Sequence, residues 1–351
     1  VSELSTRVQF GLFDWIDFTN PADLGGLYEG RLKMLEYADK AGFYCYHLAE
    51  HHLTTLGGTP SPGIFLAAAT QRTSRIHLGP LVYILPLYLP VRLAQEISML
   101  DHFSGGRLEL GTGRGISPME LQIGNVTAEA SRDVYDEAYA LLIQALSTGS
   151  VGPHHGAHFD VDAMELILRP VQRPYPPLWY PVGSNEMAKY LGEQAINTVT
   201  LFENLPEVRE TFDIYKEAWA KNRDNPKRLN AHEPSPKLGL LRQVYLADSH
   251  DRAVREGRVA FDRHRDSFFY LWEKHGIAEQ WHFLKDYDLS SGQGGVLFGT
   301  PEEVRERLGE QLDATGANYL VANLSFGDLT SDQILQSIGL FSEQVMPKLA
   351  S

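Results

Sequence analysis

The sequence predicts a (β/α)₈ barrel with an insertion late in the chain. Three observations carry that reading. Apolar strand-like runs alternate with amphipathic helical stretches from end to end, the pattern of a parallel sheet covered by helices. The 351 residues hold eight such repeats, enough for one large α/β core. No Gly-x-Gly-x-x-Gly turn follows the first strand, which counts against an open doubly wound sheet.

The elements follow in order. The first strand is expected at Val8 to Phe13, and a helix from Gly26 to Ala41 is stopped by Gly42. A second strand, Tyr44 to Leu48, precedes a helix from Pro62 to Arg72. The third strand, Ile76 to Leu81, precedes a helix from Pro90 to His102. The turn Ser104-Gly105-Gly106 opens the fourth strand, Leu108 to Gly111, and a long helix covers Ala128 to Leu146. Residues 149–177 are rich in Gly, His and Pro and read as an excursion with a hairpin over Ala157 to Ile167. Strands follow at Leu178 to Val182, Thr198 to Phe202 and Lys237 to Leu246, with helices over Glu186 to Gln194, Pro206 to Lys221 and from Asp251 onward. Residues 270–296 break the rhythm and read as the insertion. A helix at Pro301 to Ala314, the eighth strand at Tyr319 to Phe326 and a helix at Asp332 to Leu349 close the chain as a single domain.

The bulk properties exclude several classes. Forty-five acidic against 31 basic residues give a formal charge of -14, a poor match to nucleic acid or an anionic membrane. The single cysteine, Cys45, excludes an intrachain disulfide framework and a multi-cysteine zinc site. It lies in an expected strand and reads as core. No long apolar run suggests a signal peptide or a membrane span, and a reducing cytoplasm is the expected compartment.

In a barrel the ligand sits where the strands end. The fourth strand runs into Gly111-Thr112-Gly113-Arg114-Gly115-Ile116-Ser117. Glycines let a ligand approach the backbone, and the arginine offers a fork of donors suited to phosphate. The fifth ends at Gly183-Ser184-Asn185, where a helix start and a hydroxyl can hold an anion. Each feature also has a plain structural explanation, a tight turn and an N-cap. Their occurrence on neighbouring barrel strands favours phosphate. The second strand ends at Glu50-His51-His52. Histidine there serves acid–base chemistry near neutral pH, and alternation turns one of the pair toward the pocket. Apolar residues at strand ends, Trp15, Leu85 and Phe326, are expected to wall a dry pocket. His154-His155-x-x-His158 reads as a solvated loop rather than a metal site, because no carboxylate or cysteine joins it at ligand spacing. Ser184 lacks the Gly-x-Ser-x-Gly elbow of a hydrolase nucleophile.

With these residues in hand, the chain resembles the bacterial luciferase-like flavin monooxygenase superfamily along nearly its whole length. The resemblance rests on Leu48-Ala49-Glu50-His51-His52, on Leu78 through Pro86 followed by Pro90-Val91-Arg92, and on Leu100-Asp101-x-x-Ser104-Gly105-Gly106-Arg107. Gly113-Arg114-Gly115 and the C-terminal pair Gly299-Thr300-Pro301-Glu302-Glu303 and Gln344-Val345-Met346-Pro347 complete it, the last two being similar to the luciferase α-subunit branch. The resemblance implies a barrel using reduced FMN, delivered by a separate NAD(P)H:flavin reductase, and O₂. A flavin hydroperoxide would oxygenate a small or medium-sized apolar substrate. It implies a homodimer. It assigns His51 as the pocket histidine. It places the FMN phosphate at Arg114 and Ser184, with Gly113, Gly115, Ile116 and Gly183 as neighbouring backbone. Leu81-Val82 matches a position where the family has a non-prolyl cis peptide under the flavin. Gly113 stands where the α-subunit has a reactive cysteine, and Gly183 where the family has a glutamate, so aldehyde-specific light emission is not implied. The alternatives are a deazaflavin-dependent oxidoreductase and a non-catalytic flavin-binding subunit.

Overall fold

Eight parallel strands close into a ring in this computed structural model, which describes residues 7–19, 21–201, 204–277 and 282–350. They are β1 (Gln9–Asp14), β2 (Cys45–Leu48), β3 (His77–Pro80), β4 (Leu110–Gly113), β5 (Leu178–Pro181), β6 (Asn197–Thr200), β7 (Leu238–Leu246) and β8 (Tyr319–Asn323). Hydrogen bonding runs β3-β2-β1-β8-β7-β6-β5-β4, and a parallel bridge between Leu78 and Leu108 joins the two ends. Gly11 lies opposite both Cys45 and Val321, and Trp179 opposite both Gly111 and Asn197, which fixes the register.

The strands are buried on both faces, so they read as continuous apolar runs. Phe13, Leu81, Trp179, Val199, Leu241, Tyr319 and Val321 pack together in the barrel interior. Their neighbours Leu12, Leu78, Leu110, Leu178, Leu240 and Leu320 pack in the larger cluster under the helices. Period-two alternation places the two sets on opposite faces. The covering helices are α1 (Leu24–Ala41), α2 (Pro62–Thr70), α3 (Pro90–Ser104), α4 (Ser131–Thr148), α5 (Asn185–Gln194), α6 (Leu205–Asn222), α7 (His250–His275), α8 (Pro301–Thr315) and α9 (Ser331–Leu340). Gly42 ends α1 in the left-handed region at φ 88°, as its position suggested.

Several boundaries differ from expectation. The fourth strand lies two residues later than expected, because Thr112 and Gly113 pair with the short strand Tyr83–Ile84. The eighth stops at Asn323, whose side-chain amide donates to the carbonyls of Phe13 and Ser325 and turns the chain. The helix after β7 continues to His275, through the start of the expected insertion. Val296–Gly299, beginning at its expected last residue, is a further strand on Gln243 to Leu246 of β7. Phe202, the expected end of the sixth strand, lies outside the described residues. The excursion is a long hairpin, with rungs Ser150–Val151 on Met164–Glu165 and His154–His155 on Asp160–Val161. The last helix contains a π-helical stretch, Phe341–Val345, just before Pro347, which has no N–H to donate back.

Candidate active site

The C-terminal ends of β2, β3, β4 and β5 bring most of the expected residues to one side of the barrel. Glu50 leaves β2 buried at 3% exposure. Its carboxylate accepts from His52 Nε2 at 2.8 Å and from the backbone N–H of Ile84 at 2.9 Å. Burial pushes this carboxyl up, against the pull of those two donors. His52 is therefore tied to the wall. His51 turns the other way. Its Nδ1 lies 3.2 Å from Glu120 Oε1, and its ring lines a small cavity with Thr54, Ile116, Ser117 and Trp272. His52 does not line that cavity.

Glu120 is one residue that sequence reasoning missed. It sits in the single-turn helix Pro118–Leu121 and is 2% exposed. Its Oε1 also accepts the backbone N–H of His52 at 2.6 Å. Burial raises its carboxyl, but His51 and the His52 N–H outweigh that and hold it below the usual carboxylate range. An ionised Glu120 facing Nδ1 favours a proton on that nitrogen.

The next strand end supplies an apolar floor. The Leu81–Val82 peptide is cis, as the resemblance implied. Gly113 on β4 packs against it: a Cβ there would come within 2.6 Å of Val82 Cγ2. Trp15 joins the interior apolar cluster, together with Phe268, Leu271 and Trp272 from the end of α7, and the last three line the same small cavity as His51. Thr54 and Thr55 hold that helix end through Ser267, at 3.2 and 3.0 Å. Leu85 and Phe326 do not wall this pocket. Both belong to the outer core, where Phe326 stacks on Phe298 at 5.7 Å. The chain has already turned outward at each: Leu85 begins a 3-10 turn, and Phe326 lies beyond the Asn323 bend.

Beyond the mouth lies a cationic edge. Arg114 is exposed and reaches Ser131 Oγ at 3.5 Å. Burial pushes the phenol of Tyr180 up, against the pull of Arg132 and Arg114, which both lie near it. Arg132, in the first turn of α4, also hydrogen-bonds that phenol and was not anticipated. Ser184 caps α5 by accepting from the Met187 N–H at 3.2 Å and remains exposed beside Gly183, where a Cβ would meet nothing within 4 Å. The pairing of β4 with β5 makes these two strand ends neighbours. Two guanidinium groups, a hydroxyl and open backbone fit a phosphate, and the adjoining apolar floor fits a planar ring system. Gly115 takes φ 78°, and Ile116 is half exposed at the cavity.

A second polar cluster lies deeper. Fully buried Glu109 accepts from Tyr44 Oη at 2.6 Å, His77 Nδ1 at 2.9 Å and Trp179 Nε1 at 2.6 Å. His47 Nε2 lies 2.8 Å from Tyr319 Oη, and burial lowers this imidazole to about 3. Cys45 is buried beside it, as its strand position suggested. In the excursion, His154 pairs with Glu137 and His155 with Asp160, and no metal-competent cluster occurs among the described residues. No described helix is long and apolar enough to cross a membrane.

The family model for luciferase-like monooxygenase matches residues 8–319. The uncharacterised protein y4wF of Sinorhizobium fredii (strain NBRC 101917 / NGR234) is 36% identical over 99% of this chain and 98% of its own. The alkanal monooxygenase alpha chain of Photobacterium leiognathi is 24% identical over 89% and 90%. Among solved structures, monooxygenase RslO1 from Streptomyces bottropensis superposes with a TM-score of 0.85 at 23% identity, covering 97% of this chain and 99% of that one.

Proposed function

The chain belongs to the luciferase-like monooxygenase family, and from that premise we propose that it is a two-component monooxygenase using reduced FMN and O₂. The observation that carries this reading is a convergence at one barrel face. His51 with its Glu120 partner, the Leu81–Val82 floor and the Arg114, Arg132 and Ser184 edge all lie at the ends of consecutive strands. In this reading Arg114 and Ser184 bind the FMN phosphate, helped by Arg132 and by backbone at Gly113, Gly115, Ile116 and Gly183. Leu81 and Val82 support the flavin ring. Reduced flavin, when bound, supplies the electrons that activate O₂.

The chain's residues do the rest. Glu120 fixes the tautomer of His51, so that Nε2 accepts and returns a proton at the reacting group. Phe268, Leu271 and Trp272 exclude water above the ring, which suits an apolar substrate of small or medium size. A separate NAD(P)H:flavin reductase supplies the reduced cofactor. The protein assembles as a homodimer: Ile64 on α2, Met99 and Phe103 on α3, and Leu89 just before α3 stay 49–76% exposed, an apolar face for a second copy.

The test is oxygen uptake by the purified protein with FMN, NADH and an unrelated flavin reductase, across ketones, aldehydes and terpenes. Substrate-dependent uptake matched by oxygenated product is the expected result. Turnover that needs a deazaflavin and proceeds without O₂ would replace the reading with the deazaflavin alternative.

A further inference from the structure

The apolar interior of the barrel changes character at one place toward the C-terminal ends of β7 and β8. Leu241 and Val321 pack in the interior cluster. Next along each strand, Arg242 reaches out to Gln311 of α8, and Ala322 joins the outer core. Alternation therefore turns Gln243 and Asn323 back inside. The two are register partners on neighbouring strands, which run about 4.8 Å apart. Both are buried. Asn323 Nδ2 donates to the carbonyls of Phe13 and Ser325, which fixes the direction of its Oδ1. That Oδ1 has no hydrogen-bond partner among the described residues, and neither has Gln243 Nε2.

A buried donor or acceptor left unpaired is costly, and native structures keep few of them. Here one unpaired donor stands on the strand beside one unpaired acceptor. On the closed ring Gln243 lies opposite β3 and Asn323 opposite β4. A flavin laid on the Leu81–Val82 floor therefore leaves this facing wall to the substrate. The cluster around it, with Phe13, Trp15 and Leu241, is apolar.

We propose that Gln243 and Asn323 anchor the organic substrate by a cis-amide edge. Its carbonyl accepts from Gln243 Nε2, and its N–H donates to Asn323 Oδ1. The substrate class is a lactam, one amide edge on an otherwise apolar ring. This rests on the flavin reading above, which puts the cofactor on the opposite wall. The pyrimidine ring of a flavin carries the same edge, so the test separates the two.

The experiment titrates ε-caprolactam and cycloheptanone, which lacks the N–H, into the FMN-bound protein by calorimetry, with FMN affinity measured separately. Gln243→Met keeps the length of the side chain and removes an unpaired donor, so its melting temperature is expected to hold or rise. Wild type is expected to bind ε-caprolactam about tenfold more tightly than cycloheptanone, the scale of one hydrogen bond. In Gln243→Met both ligands are expected to weaken about tenfold, with FMN affinity unchanged. Equal binding of the two ligands by wild type would overturn the proposal and leave the flavin reading standing. FMN affinity that falls in Gln243→Met would overturn it as well, by giving the amide edge to the flavin. So would a lower melting temperature with unchanged ligand affinities, since the two amides would then serve only the fold. A protein that binds no FMN but still prefers the lactam, through Gln243, would sink the flavin reading and sustain the anchor.

Discussion

Replacing Arg114 by alanine isolates the phosphate end of the proposed site. The side chain is exposed, and its hydrogen bond to Ser131 Oγ is long at 3.5 Å. Removing it should therefore change fold stability by no more than about 0.5 kcal/mol. Its effect on binding is larger. A lost hydrogen bond to a charged group is worth about 1.5–3 kcal/mol, or roughly 10- to 150-fold in affinity. Arg132 lies beside the same Tyr180 phenol and retains part of the field. The single variant should accordingly fall toward the lower end, about 10- to 30-fold, and the Arg114→Ala/Arg132→Ala pair should lose more than the sum of the two, since each covers in part for the other on one anion. Quenching of FMN fluorescence gives the dissociation constants, and thermal unfolding gives the stability control. An unchanged FMN affinity in Arg114→Ala, with the fold intact, would refute the placement of the phosphate.

Further outcomes follow from the same geometry. His51→Ala should keep FMN affinity but lose about 10²–10⁴-fold in product formation, with oxygen consumed as peroxide. His52→Ala should act through the Glu50 contact and stability, and a coupling ratio that drops in His52→Ala alone would reverse the assignment. Gly113→Ala should cost about 1–3 kcal/mol in urea unfolding, because the new Cβ meets Val82 Cγ2 at 2.6 Å and β-branched Val82 yields poorly. A neutral result would show that the β4–Val82 approach is loose. His47 carries a pH signature. Burial holds it near 3 in the folded chain against an ordinary 6.5, so the unfolded chain binds one more proton between those values. Stability is therefore lost as pH falls through that window, by about 1.4 kcal/mol per pH unit for this group. His47→Gln should remove one proton's worth of that slope, and identical slopes in the two proteins would contradict a neutral buried His47.

The barrel was legible because its strands and helices differ in period and length, and Gly42 and the Gly105-Gly106 turn punctuate them. The His51 and Arg114 ends were legible because glycine, histidine and arginine are conspicuous in an otherwise apolar strand end. Glu120 was hidden by its own context. Ser117-Pro118-Met119-Glu120 reads as an N-terminal cap followed by its glutamate, and Ser117 does accept the Glu120 N–H at 3.3 Å. The carboxylate, however, reaches across to the second strand's loop, a contact between residues 69 apart. Arg132 did leave a trace. A cation in the first turn of a helix opposes the helix dipole, which favours anions there. The interior set of Glu109, His47, His77 and Tyr44 was illegible for a different reason. Strands buried on both faces lose the polar–apolar alternation that would show which side chains point inward.

The proposed reaction inserts one atom of dioxygen into an organic substrate with electrons from reduced flavin. The direct measurement is mass spectrometry of the product formed from heavy-oxygen-labelled O₂, with reduced FMN as sole reductant and a substrate selected by the oxygen-uptake panel. One labelled oxygen atom per product molecule is expected, with loss of that label-bearing product in His51→Ala. Product that carries only oxygen from water, or that forms at full rate without O₂, would contradict it.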